Sequence, residues 1–303
     1  MTEQPLVSVA MCTYNGEKFI NLQLDSILAQ TYHNLELVIV DDGSTDETFN
    51  IISDYAKKDG RIKCFKNEVN LGFNKNYERA IKLTTGEFIA ISDQDDIWLP
   101  HKIESLLNNI GDRWLIFSNS VMIDDDGVVK QGDILLGHNP AKYGYKGLLL
   151  ANFITGHTTL FRREFVNYFL PIPSIGFYDW WIGFIALYYQ KTTFLDEVLT
   201  QYRIHSGSVI QKRLNSGKLR AEENTTTNDM LSAFIKYEHL SYADNLFIVA
   251  LKKAFKKNLN RKGSLPLLMI IYKHYAELFP YHKKRKGLSL LNFALKYTRK
   301  VQN

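Results

Sequence analysis

With 303 residues, 45% of them hydrophobic and 23% charged, the chain can bury a substantial core as one large domain or as one domain with an appendage. Residues 1–5 lack a basic region followed by an apolar run, no apolar stretch reaches the roughly 20 residues of a membrane span, and Cys12 and Cys64 have no metal or redox spacing; these features exclude a secretory signal, a membrane helix and a disulfide framework, and predict a cytoplasmic protein with two buried thiols. The net charge of +5 hides an asymmetry: from Lys252 onward there are 14 Lys or Arg against one acid, Glu277, which leaves 23 basic and 31 acidic residues in the body before it.

In chain order, residues 7–11 read as an apolar strand running into a polar turn at Cys12 to Gly16. A helix follows with Phe19, Leu22, Ile27 and Leu28 on one side. This βα unit lacks G-x-G-x-x-G, which argues against a dinucleotide fold. Residues 35–40 form a second strand ending in Asp41 and Asp42, and Ser44 or Thr45 is expected to cap the next helix, which carries Phe49, Ile52 and Tyr55. A third strand at 62–65 and a turn around Gly72 lead to a helix with Tyr77, Ala80, Ile81 and Leu83, with Gly86 expected as its C-cap.

The fourth strand, 88–92, is apolar or small throughout and stops at Asp93-Gln94-Asp95-Asp96. Carboxylates crowded in this way repel one another unless a cation sits among them, and hard ions such as Mg²⁺ or Mn²⁺ prefer oxygen ligands. The stretch therefore reads as a metal–diphosphate site, or alternatively as a solvated acidic turn. Strand–helix alternation specifies an α/β fold with a mostly parallel sheet, whose ligands bind beyond the carboxyl ends of the strands. The turns after 11, 40 and 92 would converge there.

Beyond this point, Pro100 fits the first turn of a helix with Ile103, Leu106, Leu107 and Ile110. Residues 114–118 form a strand and 124–127 a hairpin turn. Ile154-Thr155-Gly156-His157 leads into a strand at 158–161, and Pro171 and Pro173 mark a loop. A very apolar helix opens at Phe177-Tyr178-Asp179-Trp180-Trp181, strands follow at 194–195 and 199–204, and His205-Ser206-Gly207 closes the region. From about Leu214 the pattern is helical.

Several of these landmarks occur together and in order. Val-Ser-Val-Ala-Met-Cys-Thr-Tyr-Asn, Val-Asp-Asp-Gly-Ser-Thr-Asp, Asn-x-Gly-Phe and Ser-Asp-Gln-Asp-Asp-Ile-Trp-Leu-Pro resemble the N-terminal half of family 2 inverting glycosyltransferases of the GT-A fold. Thr-Gly-His-Thr-Thr-Leu-Phe, Tyr-Asp-Trp-Trp and Tyr-Arg-Ile-His-Ser-Gly-Ser resemble the acceptor half, and the likeness covers roughly residues 5–212. The subgroup it is most similar to includes rhamnosyltransferases of bacterial cell-surface polysaccharide assembly. The resemblance implies a GT-A domain at 1–212, divided into a nucleotide-sugar half (1–99) and an acceptor half (100–212), followed by a helical basic region at 213–303.

It further implies a nucleotide-diphosphate sugar donor, dTDP-L-rhamnose in the subgroup, and a glycan or lipid-linked acceptor. Thr13, Tyr14, Asn15, Glu17, Asp41, Asp42, Asn76 and Asp93 are then expected at the nucleotide. Asp95 and His205 are expected at a Mn²⁺ or Mg²⁺ ion, and Asp96, Gly156, Trp180 and Trp181 at the acceptor or sugar. Asp179 is the expected general base, at a position where a helix N-cap would also stand. Thr13, Asn15 and Asp42 can equally be turn and cap residues, and the tryptophans can be plain core. His101, His138 and His157 read as surface or packing residues.

Two other classes compete. A sugar nucleotidyltransferase would need a Gly- and Lys-rich loop after the first strand, which residues 13–17 do not supply. A nucleotide-sugar-binding partner without turnover would not need both Asp95 and Asp179. The basic tail, with Lys252, Lys253, Lys256, Lys257, Arg261, Lys262 and Lys283 to Lys286 around apolar stretches, predicts peripheral attachment to the anionic inner face of the cell membrane. A solvated helical face is the plainer alternative, and no nucleic-acid motif accompanies the charge.

Overall fold

Strands that are apolar on both faces must be covered on both faces, and each helix between them supplies that cover. In the computed structural model, which describes residues 4–132, 139–205, 219–260 and 264–301, the first half comprises β1 (Val7–Thr13), α1 (Ile20–Leu28), β2 (Leu35–Asp41), α2 (Thr48–Lys58), β3 (Ile62–Lys66), α3 (Phe73–Leu83) and β4 (Phe88–Ser92). The strands run β3-β2-β1-β4, all parallel. Thr13 pairs with Asp41 and Met11 with Ser92, so the polar ends of β1, β2 and β4 emerge on one edge.

The second half adds β5 (Ile97–Trp98), α4 (Lys102–Asn109), β6 (Leu115–Ile123), β7 (Val129–Gln131), β8 (Thr159–Arg162), α5 (Val166–Phe169), α6 (Tyr178–Tyr188) and β9 (Thr192–Arg203). β8 enters antiparallel between β4 and β6, β9 lies parallel to β6, and β5 closes the far edge against β9. The sheet is therefore parallel over its first four strands and mixed beyond them. The strands expected at 194–195 and 199–204 are one strand, bent where its register with β6 shifts around Asn119. That bend brings Arg203, Ile204 and His205 back toward the end of β4. The 124–127 turn joins β6 to β7 as expected.

Local details differ from the sequence reading where a side chain found a better partner. Ser44 turns inward to Asp41, and Asp46 takes the N-terminal role at α2, its Oδ1 accepting from the Thr48 amide at 3.1 Å. α3 ends at Leu83, before Gly86; a Cβ on Gly86 would lie 2.6 Å from the Leu6 carbonyl, so glycine serves close backbone approach there. Pro100 precedes α4, whose N-cap is His101. The two thiols are free and only partly buried.

Among the described residues that follow are the helices α7 (Leu219–Phe234), α8 (Tyr242–Asn260), α9 (Leu265–Leu278) and α10 (Gly287–Lys300). Phe234 of α7 stacks on Phe184 and Trp181 of α6, and Ile248, Leu251, Leu267 and Ile271 join the same buried cluster as α6. The predicted boundary at 212 and 213, like His138, Arg261 and Lys262, lies outside the described residues.

At the edge opposite the polar strand ends, Glu36 is nearly sealed and accepts from Ser8 Oγ, Thr85 Oγ1 and Lys63 Nζ. Burial opposes its charge, but these donors outweigh burial and hold the carboxyl at about 2 instead of 4.5. Its stabilising contribution is full above pH 4.5 and fades as pH falls toward 2. Glu36→Gln is expected to cost about 3 kcal/mol at neutral pH and little near pH 2. Denaturation of both proteins across that range measures this, and equal stability at pH 7 would refute it.

Candidate active site

Because β1, β2 and β4 end side by side, three polar turns share a rim. Two residues expected on it lie beneath. Asp41 is fully buried; its Oδ2 accepts from Thr13 Oγ1 at 2.9 Å and its Oδ1 from the Ser44 amide at 2.8 Å. Asn76 donates to the Val40 carbonyl at 2.8 Å and accepts from Asn67. Asp42 is also spent internally: Asn67 Nδ2 and the Leu71 amide donate to Oδ1, and the Gly72 amide to Oδ2. Thr13 and Asp42 thus take up the turn bonds that were their alternative reading, and Asp41 and Asn76 are bonded internally beside them.

Tyr14, Asn15 and Glu17 are exposed above them. Asn15 adopts φ +48°, which asparagine tolerates, and its Oδ1 accepts from the Thr45 amide at 2.9 Å. Glu17 accepts from the Glu47 amide at 2.9 Å. Gln94 reaches across from the end of β4, accepting from the Tyr14 amide at 2.8 Å and donating to its carbonyl at 3.2 Å. One side chain therefore ties the β1 turn to the acidic turn.

The acidic turn divides into an open and a closed part. Asp95 is partly exposed, and its Oδ2 lies 2.9 Å from His205 Nε2, which places the two residues expected at an ion side by side. Asp93 is the most accessible of the three, with Tyr77 Oη donating to its Oδ1 at 2.5 Å. Burial works against its ionisation, yet His157, Tyr77 and Lys102 outweigh burial and hold its carboxyl below the usual range. Asp96, expected at the acceptor, is sealed in. Its Oδ1 accepts from the Arg203 amide at 3.0 Å, and burial together with Asp95 and Asp93 pushes its carboxyl well up.

His157 belongs to this cluster, not to the surface. It is buried and stacks on Tyr202 at 4.6 Å, and its Nδ1 lies 3.7 Å from Asp93 Oδ2 and 3.9 Å from Asp96 Oδ2. Asp93, Asp96 and His157 offer ligand atoms within 4.8 Å of one another, and Asp96 Oδ2 is a buried oxygen without a hydrogen-bond partner. Carboxylate oxygens and an imidazole nitrogen are a fitting donor set for Mn²⁺ or Mg²⁺. Arg203 braces the whole turn, donating to the carbonyls of Asp95, Asp124 and Asp125 while its guanidinium lies over Phe19.

Asp179 stands across from these acids. It is the second residue of α6, two past the N-cap Phe177, which makes no side-chain cap bond. Its Oδ1 accepts from the Trp180 amide at 2.6 Å and its Oδ2 from the Gly156 amide at 3.3 Å. Burial raises its carboxyl to about 7, against the pull of those two amides. Tyr77 and Tyr178 rings lie 4.0 Å apart and join the Asp93 side to the Asp179 side.

The remaining acceptor residues have other work. Trp180 and Trp181 are core: their indole N–H groups donate to the Leu148 and Phe169 carbonyls at 2.6 and 2.8 Å, and their rings meet Phe234. A Cβ on Gly156 would lie 2.1 Å from the Tyr178 hydroxyl, so the missing side chain admits Tyr178, not an acceptor. Gly156→Ala is expected to displace Tyr178, cost about 1–3 kcal/mol of stability and lower turnover with it; a melt and a rate assay check this, and an unchanged Tm would contradict it. His157, Tyr178, Tyr202 and Arg203 carry the geometry yet were missed. The available signal was their position within two residues of a strand or helix end that already held a candidate.

The profile described as Glycosyl transferase family 2 matches residues 8–169. The UDP-Glc:alpha-D-GlcNAc-diphosphoundecaprenol beta-1,3-glucosyltransferase WfaP of Escherichia coli is 32% identical over 207 residues, 67% of this chain and 79% of that protein. Among solved structures, TarS 1–349 of S. aureus in complex with UDP-GlcNAc superposes with a TM-score of 0.61 at 16% identity, covering 98% of this chain and 90% of that one. Mannosyltransferase PcManGT from Pyrobaculum calidifontis, in complex with GDP-Man and Mn²⁺, superposes with a TM-score of 0.58 at 16% identity, covering 99% and 86%. These two likenesses support the GT-A fold.

Proposed function

The chain belongs to glycosyl transferase family 2, and from that premise we propose an inverting transferase that moves a sugar from a nucleoside diphosphate to a hydroxyl of a glycan, or of a lipid-linked glycan precursor, in cell-surface polysaccharide assembly. One observation carries this reading furthest. The Gly156 amide donates to Asp179 Oδ2 at 3.3 Å, and Nδ1 of the adjoining His157 lies 3.7 Å from Asp93 Oδ2 and 3.9 Å from Asp96 Oδ2. Carboxylates from two separate segments, the turn after β4 and the start of α6, therefore face one place.

In this reading Asp179 is the base. An inverting transfer is a single displacement, so the acceptor hydroxyl must lose its proton on the side away from the leaving group. Tyr14, Asn15 and Glu17 form the exposed lip for the nucleotide, over the scaffold of Thr13, Asp41, Asp42 and Asn76. Asp95 and His205, with Asp93 beside them, would hold Mn²⁺ or Mg²⁺. When bound, such an ion neutralises charge gathering on the departing diphosphate. In this reading residues 1–99 serve the donor and 100–212 the acceptor, with α7 packed against α6 through Phe234.

The lipid-linked acceptor is supported by the name of WfaP, which also names UDP-glucose as donor; dTDP-L-rhamnose follows from the subgroup likeness. Among the described residues no helix is long and apolar enough to cross a membrane; this reading has the basic C-terminal region meet such an acceptor peripherally, on the inner membrane face. Thermal shift against UDP-, GDP- and dTDP-sugars with Mn²⁺ is expected to single out one nucleotide, followed by release of its diphosphate when a glycan acceptor is added. A flat panel would remove this reading.

A further inference from the structure

We propose that the groove between α9 and α10 is a docking face for an anionic phospholipid leaflet. This deepens the reading of a lipid-linked acceptor and rests on it for its purpose, though not for its evidence. On α9, Leu265, Met269 and Tyr272 recur at helical spacing, and on α10 Leu288, Leu291 and Leu295 do the same. All six side chains are exposed, Leu288 at 84% and Leu265 at 69%. The opposite faces of both helices are buried, through Leu267, Ile271, Tyr275 and Ala294. The outward stripes are thus surplus to the core. Between them, and against Phe247 of α8, lies an open groove of about 830 Å³ lined also by Leu268 and Lys273.

Charge selects the occupant. The connection from α9 to α10 carries Lys283, Lys284, Arg285 and Lys286 in succession, and Lys296, Arg299 and Lys300 lie along α10. The single acid of this stretch, Glu277, is held by Lys146 and by His274 Nδ1 at 2.9 Å, so its charge is already matched. A surface that exposes aliphatic side chains on two helices joined and followed by basic residues fits a partner with apolar depth beneath negative headgroups. An anionic leaflet offers both at once. Each lysine or arginine near its surface adds to the attraction, and salt weakens the sum.

The test uses the full chain and flotation with vesicles of phosphatidylcholine alone or mixed with phosphatidylglycerol. The wild type is expected to float with the phosphatidylglycerol vesicles and to be released by salt. Met269→Glu combined with Leu288→Glu changes two exposed positions, so its melt should match the wild type. Its partition is expected to fall about tenfold or more, since an inserted leucine contributes at least a decade. The proposal is overturned if the wild type ignores both vesicles or binds both equally. It is also overturned if the double variant binds unchanged, or if the wild type is a dimer that the variant splits, which would assign the groove to a second copy. Flotation needs no donor, and donor hydrolysis by the variant in solution should be unchanged. Failure of docking with turnover intact therefore removes this proposal alone, while docking without turnover removes the enzymatic reading instead.

Discussion

Asp179→Asn is expected to lower sugar transfer roughly a thousandfold while leaving donor binding intact and making the protein more stable. The three effects have one source. Burial raises the Asp179 carboxyl to about 7, with the nearby Asp93 charge adding to the rise. A carboxylate destabilised in that way accepts a proton more readily than one in water, which suits a base acting as the new C–O bond forms. The sign for stability follows from the same shift. The native state holds this proton more tightly than the unfolded chain does, so charging Asp179 penalises folding progressively between about pH 4 and pH 7. Asparagine keeps the acceptor for the Trp180 amide and carries no charge, so the variant should gain about 2–4 kcal/mol above pH 7 and almost nothing below pH 4. Wild-type kcat/KM should fall tenfold per pH unit below about 7. Denaturation curves at both pH values, beside diphosphate release, check the prediction; a variant that turns over normally, or that loses stability above pH 7, would end the assignment.

The first half of the fold was legible because β1, β2 and β4 are dominated by apolar residues and each ends at a polar one. That pattern sufficed to bring Asp41 and Asp93 to one edge, as the pairing of β1 with β2 and β4 does. It did not reveal which polar residues face a ligand. Thr13 and Asp42 look the same in sequence whether they touch a nucleotide or close a turn, and only the occupied lone pairs of Asp42 decide. The second half was harder because its order is not the order of the chain. β8 pairs with both β4 and β6, so His157, just before β8, arrives beside Asp93 from 64 positions away in a manner no local window contains. The tryptophans misled for a related reason. A helix whose apolar residues have no polar face gives no hint of which side meets a cleft, and here nearly every side is covered, the last of it by α7.

Asp95→Asn is expected to lower turnover about a hundredfold or more and to abolish the rise in Tm that Mn²⁺ gives the wild type, whereas Asp96→Asn should keep that rise. Two donor sets meet at the end of β4, and access separates them. Asp95 and His205 each keep about 18% of their side-chain surface open, and Asp93 keeps 34%, whereas Asp96 has none. An ion that also binds substrate phosphates retains water and must be reached from outside, which favours the open set. Asp96 then acts from behind: the hydrogen bond it accepts from the Arg203 amide fixes the turn, and Arg203 Nε in turn donates to the Asp95 carbonyl at 2.9 Å. Asparagine at 96 preserves the oxygen that receives the Arg203 amide, so the turn should persist. The opposite pattern, with the Mn²⁺-induced rise lost in Asp96→Asn and kept in Asp95→Asn, would move the ion to the buried set of Asp93, Asp96 and His157, whose ligand atoms already lie within 4.8 Å of one another. Thermal melts of the three proteins with and without Mn²⁺ distinguish the two outcomes without requiring an acceptor to be known.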